Sequence, residues 1–284
     1  MLTDTLHLTL DGNPTRVVRT KNEGYWRSCS EGSWEPETYG IFRRFIDPCG
    51  SYLDIGAWIG STVLVGCHLA KRAFAVEPNP VAFPELSANV ELNRPATDNV
   101  RLFNFCIAPE TGTAQLGTRS APGASMSSLV FGDAECHWTV KTIRFAEFIE
   151  SNDITDCRFI KIDIEAGEYS VVPTMVATLR QQRPTIYLSL HPGFLGDAGE
   201  GHTNLRSAIT RLRSTEQLLR SLSFYRRFYD PFSRGTTLRH ASTPRKFLHY
   251  ILSRCTWKPS ICLSACVYAV FGRPSSLVIT EEDW

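Results

Sequence analysis

From His7 to Thr20 apolar and polar residues alternate (Leu8, Leu10, Val17, Val18) around an Asp11-Gly12-Asn13-Pro14 turn, a pattern that predicts a peripheral hairpin. The apolar spacing then becomes helical over Tyr39 to Ile46, and Pro36, Glu35 and Glu37 suit the first turn and positive end of that helix. Ser51 to Ile55 reads as a short buried strand; glycines at Gly56 and Gly60 follow, then a helical run from Ser61 to Leu69. Ala73 to Glu77 is a second strand, ending in an acid. Pro78-Asn79-Pro80 breaks the chain before a helix over Val81 to Leu92, with Phe83, Leu86 and Val90 on one face. Val100 to Ile107 is a third strand, Gly112 to Leu116 a short accessory one, and Thr118 to Ser128 a loop rich in Ser, Gly, Ala and Pro. Thr139 to Ile143 and the short helix Phe145 to Ser151 lead to a central strand at Phe159 to Ile162 and a helix over Tyr169 to Leu179. A strand from Pro184 to His191, a long helix from Leu205 to Leu222, a strand over Ser223 to Asp230 and a closing strand at Ser275 to Thr280 complete the series.

The chemistry gathers first at the turn of Leu53-Asp-Ile-Gly-Ala-Trp-Ile-Gly-Ser61. In an open α/β sheet such a strand–turn–helix junction lies at the carboxyl edge, where ligands bind. Glu77, at the tip of the next strand, is placed to receive the hydroxyls of a nucleoside ribose. Asp54 helps to choose the nucleoside. A dinucleotide sets an anionic pyrophosphate against the turn, usually within G-x-G-x-x-G. Here Ala57 replaces the second glycine, and a carboxylate two residues before the turn repels a phosphate. The same carboxylate attracts the ammonium of the methionine part of S-adenosylmethionine, which the pattern therefore favours over NAD. The helix after Pro36 feeds into the first strand, so its start, with Glu35 and Thr38, is expected over the cofactor.

A second concentration is Ile160-Lys-Ile-Asp-Ile-Glu-Ala-Gly-Glu168, three acids within six residues of a strand end. Clustered carboxylates need a cation or a proton; the sulfonium, a divalent metal such as magnesium and Lys161 are candidates. Glu165 and Glu168 also suit the start of the following helix. His191, at the next strand tip, can be a general base or a metal ligand.

Composition narrows the classes. With 43% hydrophobic residues and a net charge of +1, the 284-residue chain has material for a sizeable core and no electrostatic case for nucleic acid. Nine scattered cysteines without C-x-x-C read as free thiols in a reduced, cytoplasmic setting. No signal-peptide pattern opens the chain, and no apolar run nears the ~18 residues that span a bilayer. Arg226, Arg227, Arg234, Arg239, His240, Arg245 and Lys246 form a broken basic stretch before the apolar, aromatic Phe247 to Phe271.

Trp34-Glu-Pro-Glu-Thr38, Leu53-Asp-Ile-Gly-Ala57, Glu77-Pro-Asn79, Asn89-Val-Glu-Leu-Asn93 and Ile160-Lys-Ile-Asp-Ile-Glu165 resemble the FkbM-type methyltransferases, over roughly Trp34 to His191. The resemblance implies a Rossmann-like, doubly wound sheet of seven strands, mostly parallel with the last antiparallel. It implies S-adenosylmethionine contacts at Asp54, Gly56 and Glu77 and places Asp163 toward the methyl group. The candidate cofactor set extends to Glu35, Thr38, Ala57, Gly60, Ser61, Pro78, Asn79 and Cys106. Two positions depart from the family: Ala166 stands where glycine is common, and Ser189 where an acid is frequent.

The expected organisation is an N-terminal hairpin and flap (1–40), a cofactor-binding core (41–233), an insertion (234–272) and a closing strand (273–284). The insertion is expected to cover an anionic acceptor, with peripheral membrane contact an alternative. The expected reaction is methyl transfer to a hydroxyl of a sugar, glycoconjugate or natural product, with Asp163, Glu165 and His191 as catalytic or metal-binding groups. N- or carboxyl-methylation of a small molecule, and a non-catalytic nucleotide-binding protein, stay open.

Overall fold

The computed structural model describes residues 4–118, 120–123, 125–195, 205–231, 266, 269–270 and 275–283. Strands β1 (Thr5–Leu10) and β2 (Asn13–Val18) form the expected antiparallel hairpin. Helix α1 (Glu23–Glu31) follows, an element the sequence reading does not contain. Gly24, Ser28 and Ser30 are weak helix formers, and what holds the helix is burial of Trp26 and Cys29. Helix α2 (Pro36–Phe45) begins at Pro36, as its fixed φ and missing N–H favour. Its buried Phe42 packs edge-on against Tyr52 and Phe159, with ring centroids 5.4 and 5.3 Å away.

The alternating part runs β3 (Ser51–Ile55), α3 (Ser61–Leu69), β4 (Arg72–Val76), α4 (Ala82–Leu92) and β5 (Val100–Phe103). Every residue of β3 is buried, Ser51 and Asp54 included, so the strand shows no alternation of apolar and polar positions. The pairs β3–β4 and β4–β5 are parallel. Helix α3 lies close enough to β3 that a Cβ on Gly66 would stand 2.3 Å from the Tyr52 ring, so only glycine fits there.

A four-stranded accessory sheet comprises β6 (Cys106–Ile107), β7 (Gly112–Thr118), β8 (Ser127–Ser128) and β9 (Cys136–Ile143), in the order β6-β9-β7-β8. It is larger than the single short strand the sequence suggested. Helix α5 (Phe145–Ser151) and strand β10 (Cys157–Ile162) follow, then α6 (Glu168–Gln182), β11 (Thr185–Leu190), α7 (Leu205–Ser221), β12 (Arg227–Tyr229) and β13 (Ser275–Thr280).

The chain divides into two compact units, Met1–Lys161 and Ile162–Trp284. The fold is α/β, with a mixed main sheet of seven strands. Within the second unit β13 pairs antiparallel with both β11 and β12. Of the insertion expected over 234–272, only Cys266, Ala269 and Val270 lie among the described residues. Cys266 and Ala269 are fully buried, and the buried Arg211 of α7 donates to the carbonyls of Ala269 and Val270, both at 3.1 Å. The basic stretch from Arg234 to Lys246 lies outside the described residues. All seven cysteines among the described residues are free, and no described helix is long and apolar enough to cross a membrane.

Candidate active site

Asp54, the last but one residue of β3, is fully buried. Its Oδ2 accepts hydrogen bonds from the Tyr52 and Thr62 hydroxyls, both at 2.6 Å. The ammonium of Lys161 lies 3.5 Å from Oδ1 and donates to the Gly56 carbonyl at 3.4 Å. A buried carboxylate is costly without a partner, and the partner is a lysine almost as buried as the acid. Lys161, considered above as a counter-ion for the acids that follow it, thus has its ammonium against Asp54.

The turn that follows is pinned to β4 by the Gly56 and Ala57 N–H groups, which donate to the Val76 carbonyl at 3.0 and 3.2 Å. Gly60 (φ 99°) must be glycine twice over, because a Cβ there would also stand 2.7 Å from Leu86 Cδ1. Trp58 between them holds φ 47° without that licence. Its backbone N–H donates to Glu77 Oε2 at 2.8 Å, and the Asn79 N–H donates to Glu77 Oε1 at 2.7 Å. Each oxygen of this buried carboxylate therefore holds one backbone donor, and each carboxylate oxygen has a second lone pair. Burial raises the Glu77 carboxyl to about 7; the two N–H groups and Lys161 pull it down, and Asp54 pushes it up.

The remaining residues expected near the cofactor in the first unit fall into two sorts. Ser61 opens α3 and its Oγ is hydrogen-bonded to the Tyr25 hydroxyl. Glu35, at the start of α2, accepts from the buried Thr38 hydroxyl at 3.0 Å. Pro78 follows Glu77 and is half-buried. Asn79 is a structural device as well: its Oδ1 accepts from the Val81 and Ala82 N–H groups at 2.8 and 3.3 Å, starting α4, while Nδ2 donates to Ser127 Oγ at 2.8 Å. Cys106 belongs to the core of the accessory sheet with Leu116 and Val140. Burial, with the Glu77 charge adding to it, pushes its thiol up to about 12, so it is a neutral thiol at physiological pH.

In the second unit Asp163, Glu165 and His191 come together as the sequence anticipated. His191 Nε2 lies 3.7 Å from Asp163 Oδ1 and 3.5 Å from Glu165 Oε2. One donor atom from each of the three lies within 4.8 Å of the others. On the other side of the ring, Nδ1 stands 3.4 Å from Oε1 of the fully buried Glu168, which also accepts the His191 backbone N–H at 2.7 Å. Burial opposes charge on the imidazole, but Glu168, Asp163 and Glu165 outweigh it and raise its pKa to about 9. Glu165 (φ 51°) and Ala166 (φ 72°) both adopt the left-handed conformation that turns the chain from β10 into α6.

Against known proteins, the methyltransferase FkbM domain matches residues 54–217, more than half of the chain. The chain belongs to the FkbM methyltransferase family. A hexuronic acid methyltransferase of Haloferax volcanii, AglP, is 27% identical over 140 residues, 49% of this chain and 55% of the relative. The chain thus spans about half the length of that relative. Among solved structures, an FkbM methyltransferase from Methylobacillus flagellatus aligns with 82% of this chain and 44% of its own, at 15% identity and a TM-score of 0.43. An S-adenosylmethionine-dependent methyltransferase described as putative, from Streptococcus mutans, aligns with 99% and 56%, at 8% and 0.44. Similarity at that level carries no argument about what this chain does.

Two signals in the FkbM-type sequence gain a physical explanation. Asn89-Val-Glu-Leu-Asn93 is a clasp rather than a ligand site. Asn89 accepts the Val18 N–H at 2.8 Å and donates to the Ile59 carbonyl of the glycine turn at 2.9 Å. Asn93 pairs with both the N–H and the carbonyl of Arg16, at 2.9 and 2.7 Å. The hairpin is thereby tied to α4 and to the turn. The glycine common at position 166 is likewise explained, since the backbone there (φ 72°) is one that glycine adopts without cost; nothing in the structure explains the alanine of this chain. Residues that sequence reasoning missed are Tyr52 and Thr62, which hold Asp54, Glu168 as the partner of the imidazole Nδ1, and Trp58 and Tyr25. None belongs to a local spacing pattern that names its partner.

Proposed function

We propose that this chain transfers a methyl group from S-adenosylmethionine to a hydroxyl of a sugar or sugar-like acceptor, on a Rossmann-like, doubly wound sheet whose last strand is antiparallel. The observation that carries the reading is Glu77: a buried carboxylate at a strand tip beside the glycine turn, with one backbone donor on each oxygen and acceptor capacity left for two ribose hydroxyls. Asp54, Gly56, Ala57, Gly60, Ser61, Pro78 and Asn79 surround that position along the chain, with Glu35 and Thr38 assigned to the cover and Asp163 to the side of the methyl group. When bound, the cofactor supplies an electrophilic methyl on a sulfonium; the protein's part is to align the acceptor oxygen with it.

The acceptor hydroxyl must lose a proton, and Glu165 and His191, with Asp163, are assigned to that work. Glu168, against Nδ1, fixes the ring so that Nε2 faces the two other carboxylates. A neutral imidazole presents a lone pair to two anions there, so the cluster calls for a positive species, either a proton or a divalent cation. Three oxygen and nitrogen donors within 4.8 Å fit a divalent ion such as magnesium or manganese, which lowers the pKa of a bound hydroxyl. A second reading has one specific observation behind it. Three carboxylates stand 3.4–3.7 Å from the ring nitrogens and favour the protonated imidazole, which suits an acceptor needing no base, such as a carboxylate. The name of the relative, a hexuronic acid methyltransferase, agrees with an anionic sugar in either case.

The organisation expected above stays part of the proposal, with 1–40 as a flap and the basic and apolar 234–272 covering an anionic acceptor. The test is transfer of a labelled methyl from S-adenosylmethionine to a panel of uronic acids and neutral sugars. Label in an ether position supports hydroxyl methylation, label in an alkali-labile ester supports carboxyl methylation, and no label on any sugar contradicts the acceptor class.

A further inference from the structure

The glycine turn contains one bulky residue in a conformation that L-residues avoid. Trp58 sits at φ 47°, and an observed outlier of this kind directs attention to function. Three contacts keep it there, each from a different segment. Its backbone N–H reaches Glu77 Oε2 at the end of β4, 2.8 Å away. Its indole Nε1–H donates to the Gly123 carbonyl, in the loop between β7 and β8, at 2.9 Å. Its ring meets the Tyr25 ring of α1 edge-on, with centroids 4.6 Å apart and planes at 70°.

Both ring contacts are themselves anchored. The Pro122 carbonyl next to Gly123 accepts from Lys21 Nζ at 2.7 Å, and a Cβ on Gly123 would stand 2.8 Å from Val81 Cγ1. Tyr25 is hydrogen-bonded to Ser61 and packs edge-on against Trp34 at 5.3 Å. The side chain is thus held at two points, and those two points fix the backbone between them. Released from them, residue 58 relaxes toward ordinary negative φ, and the N–H aimed at Glu77 turns away.

We propose that Trp58 is a positioning residue for the cofactor: its ring, clamped by the Gly123 carbonyl and Tyr25, aims the backbone N–H that orients the Glu77 carboxylate toward the ribose. This rests on the reading of Glu77 as the ribose-binding acid. A tryptophan that merely fills space would affect the whole fold and would not act through one carboxylate.

The experiment measures S-adenosylhomocysteine binding by calorimetry in the full chain, for the wild type, Trp58→Gly, Trp58→Phe, Glu77→Ala and the Trp58→Gly/Glu77→Ala double variant. Trp58→Gly keeps the N–H and tolerates the backbone but loses both anchors, and binding weakens by about 10–100-fold, the scale of one or two polar partners lost. Trp58→Phe keeps the ring on Tyr25 and loses only the donor to Gly123, so it recovers about half of that loss on a logarithmic scale. In the Glu77→Ala background Trp58→Gly costs less than about 3-fold, since there is no carboxylate left to orient. Equal losses in both backgrounds, or Trp58→Gly binding like the wild type while Glu77→Ala binds weakly, overturn the role of Trp58 and leave the cofactor reading standing. A wild type that binds no S-adenosylhomocysteine overturns both. If Trp58→Gly does not fold, Trp58→Phe alone decides, with about 3–10-fold weaker binding expected and unchanged binding fatal to the proposal.

Discussion

The polar groups of the glycine turn and those of the histidine cluster are built to opposite rules. Around Asp54 and Glu77 the hydrogen bonds are 2.6–2.8 Å long and most donors are fixed, two of them backbone N–H groups. Around His191 the three carboxylates stand 3.4–3.7 Å from the ring nitrogens, and Asp163 and His191 are partly exposed. The first arrangement is held by short bonds that leave acceptor capacity on both Glu77 oxygens; the second is held at longer range around one imidazole. Preorganised dipoles cost nothing to reorganise when a ligand arrives.

The largest effect expected from breaking this contrast is at the loose cluster. His191→Ala should lower turnover by about 10²–10⁴-fold, the usual range for a lost acid–base group, with S-adenosylhomocysteine binding nearly intact. A chelator separates the two readings of the cluster: loss of turnover restored by a divalent ion supports a metal, and full activity in chelator supports a proton-holding imidazole. In that metal-free case a base role predicts turnover rising with pH and levelling off above about 9, where the imidazole becomes neutral. Full activity of His191→Ala with chelator present removes both.

Next comes the closed region. Asp54→Ala leaves Lys161 buried without its acid, and denaturant unfolding should report a loss of about 3–5 kcal/mol. An unchanged midpoint would mean that the pair contributes only geometry.

Glu77 provides a pH test of intermediate size. Its carboxyl is raised by burial to about 7 in the folded chain, above the ordinary 4.5. Its contribution to the stability of the ligand-free protein is therefore fully present below about 4.5 and is lost as pH rises through about 7. Cofactor binding runs the other way, because ribose hydroxyls donate to the ionised form. Affinity for S-adenosylhomocysteine should climb as pH passes through about 7, and Glu77→Gln should flatten that climb. A wild-type affinity already independent of pH contradicts the burial of this acid.

The smallest effect concerns Ala166, held at φ 72°. Ala166→Gly should stabilise the chain by no more than about 1 kcal/mol, the strain relieved being offset by the freer unfolded state. A clear loss of stability would show that the methyl group packs usefully enough to outweigh its backbone.

What was legible in the sequence follows the range of the interactions. The run Asp54 to Ser61, the acid at Glu77 and the Asp163–Glu165 pair declare themselves, because a strand tip followed by a turn is a local pattern. The α/β class and the meeting of Asp163, Glu165 and His191 were legible for the same reason, from successive strand ends. What was hidden is non-local. Trp58 and Gly123 are 65 positions apart and Asn89 and Val18 are 71 apart, so no window of sequence shows either bond. Helix α1 was missed because its sequence favours it weakly and tertiary burial of Trp26 and Cys29 holds it. The contact of the Lys161 ammonium with Asp54, 107 positions earlier, was likewise hidden by its distance along the chain. Asn79 and Cys106 were named for the cofactor, and their structural work, starting α4 and filling the accessory sheet's core, was not legible beside it.

Whether Glu77 holds the ribose of S-adenosylmethionine is decided by a calorimetric comparison of S-adenosylhomocysteine and NAD on the wild type and on Glu77→Ala. S-adenosylhomocysteine is expected to bind, NAD not to compete with it, and Glu77→Ala to weaken the complex by about 1–3 kcal/mol, the range for polar partners left unmatched. Tighter binding of NAD, or S-adenosylhomocysteine affinity indifferent to the loss of Glu77, would contradict it.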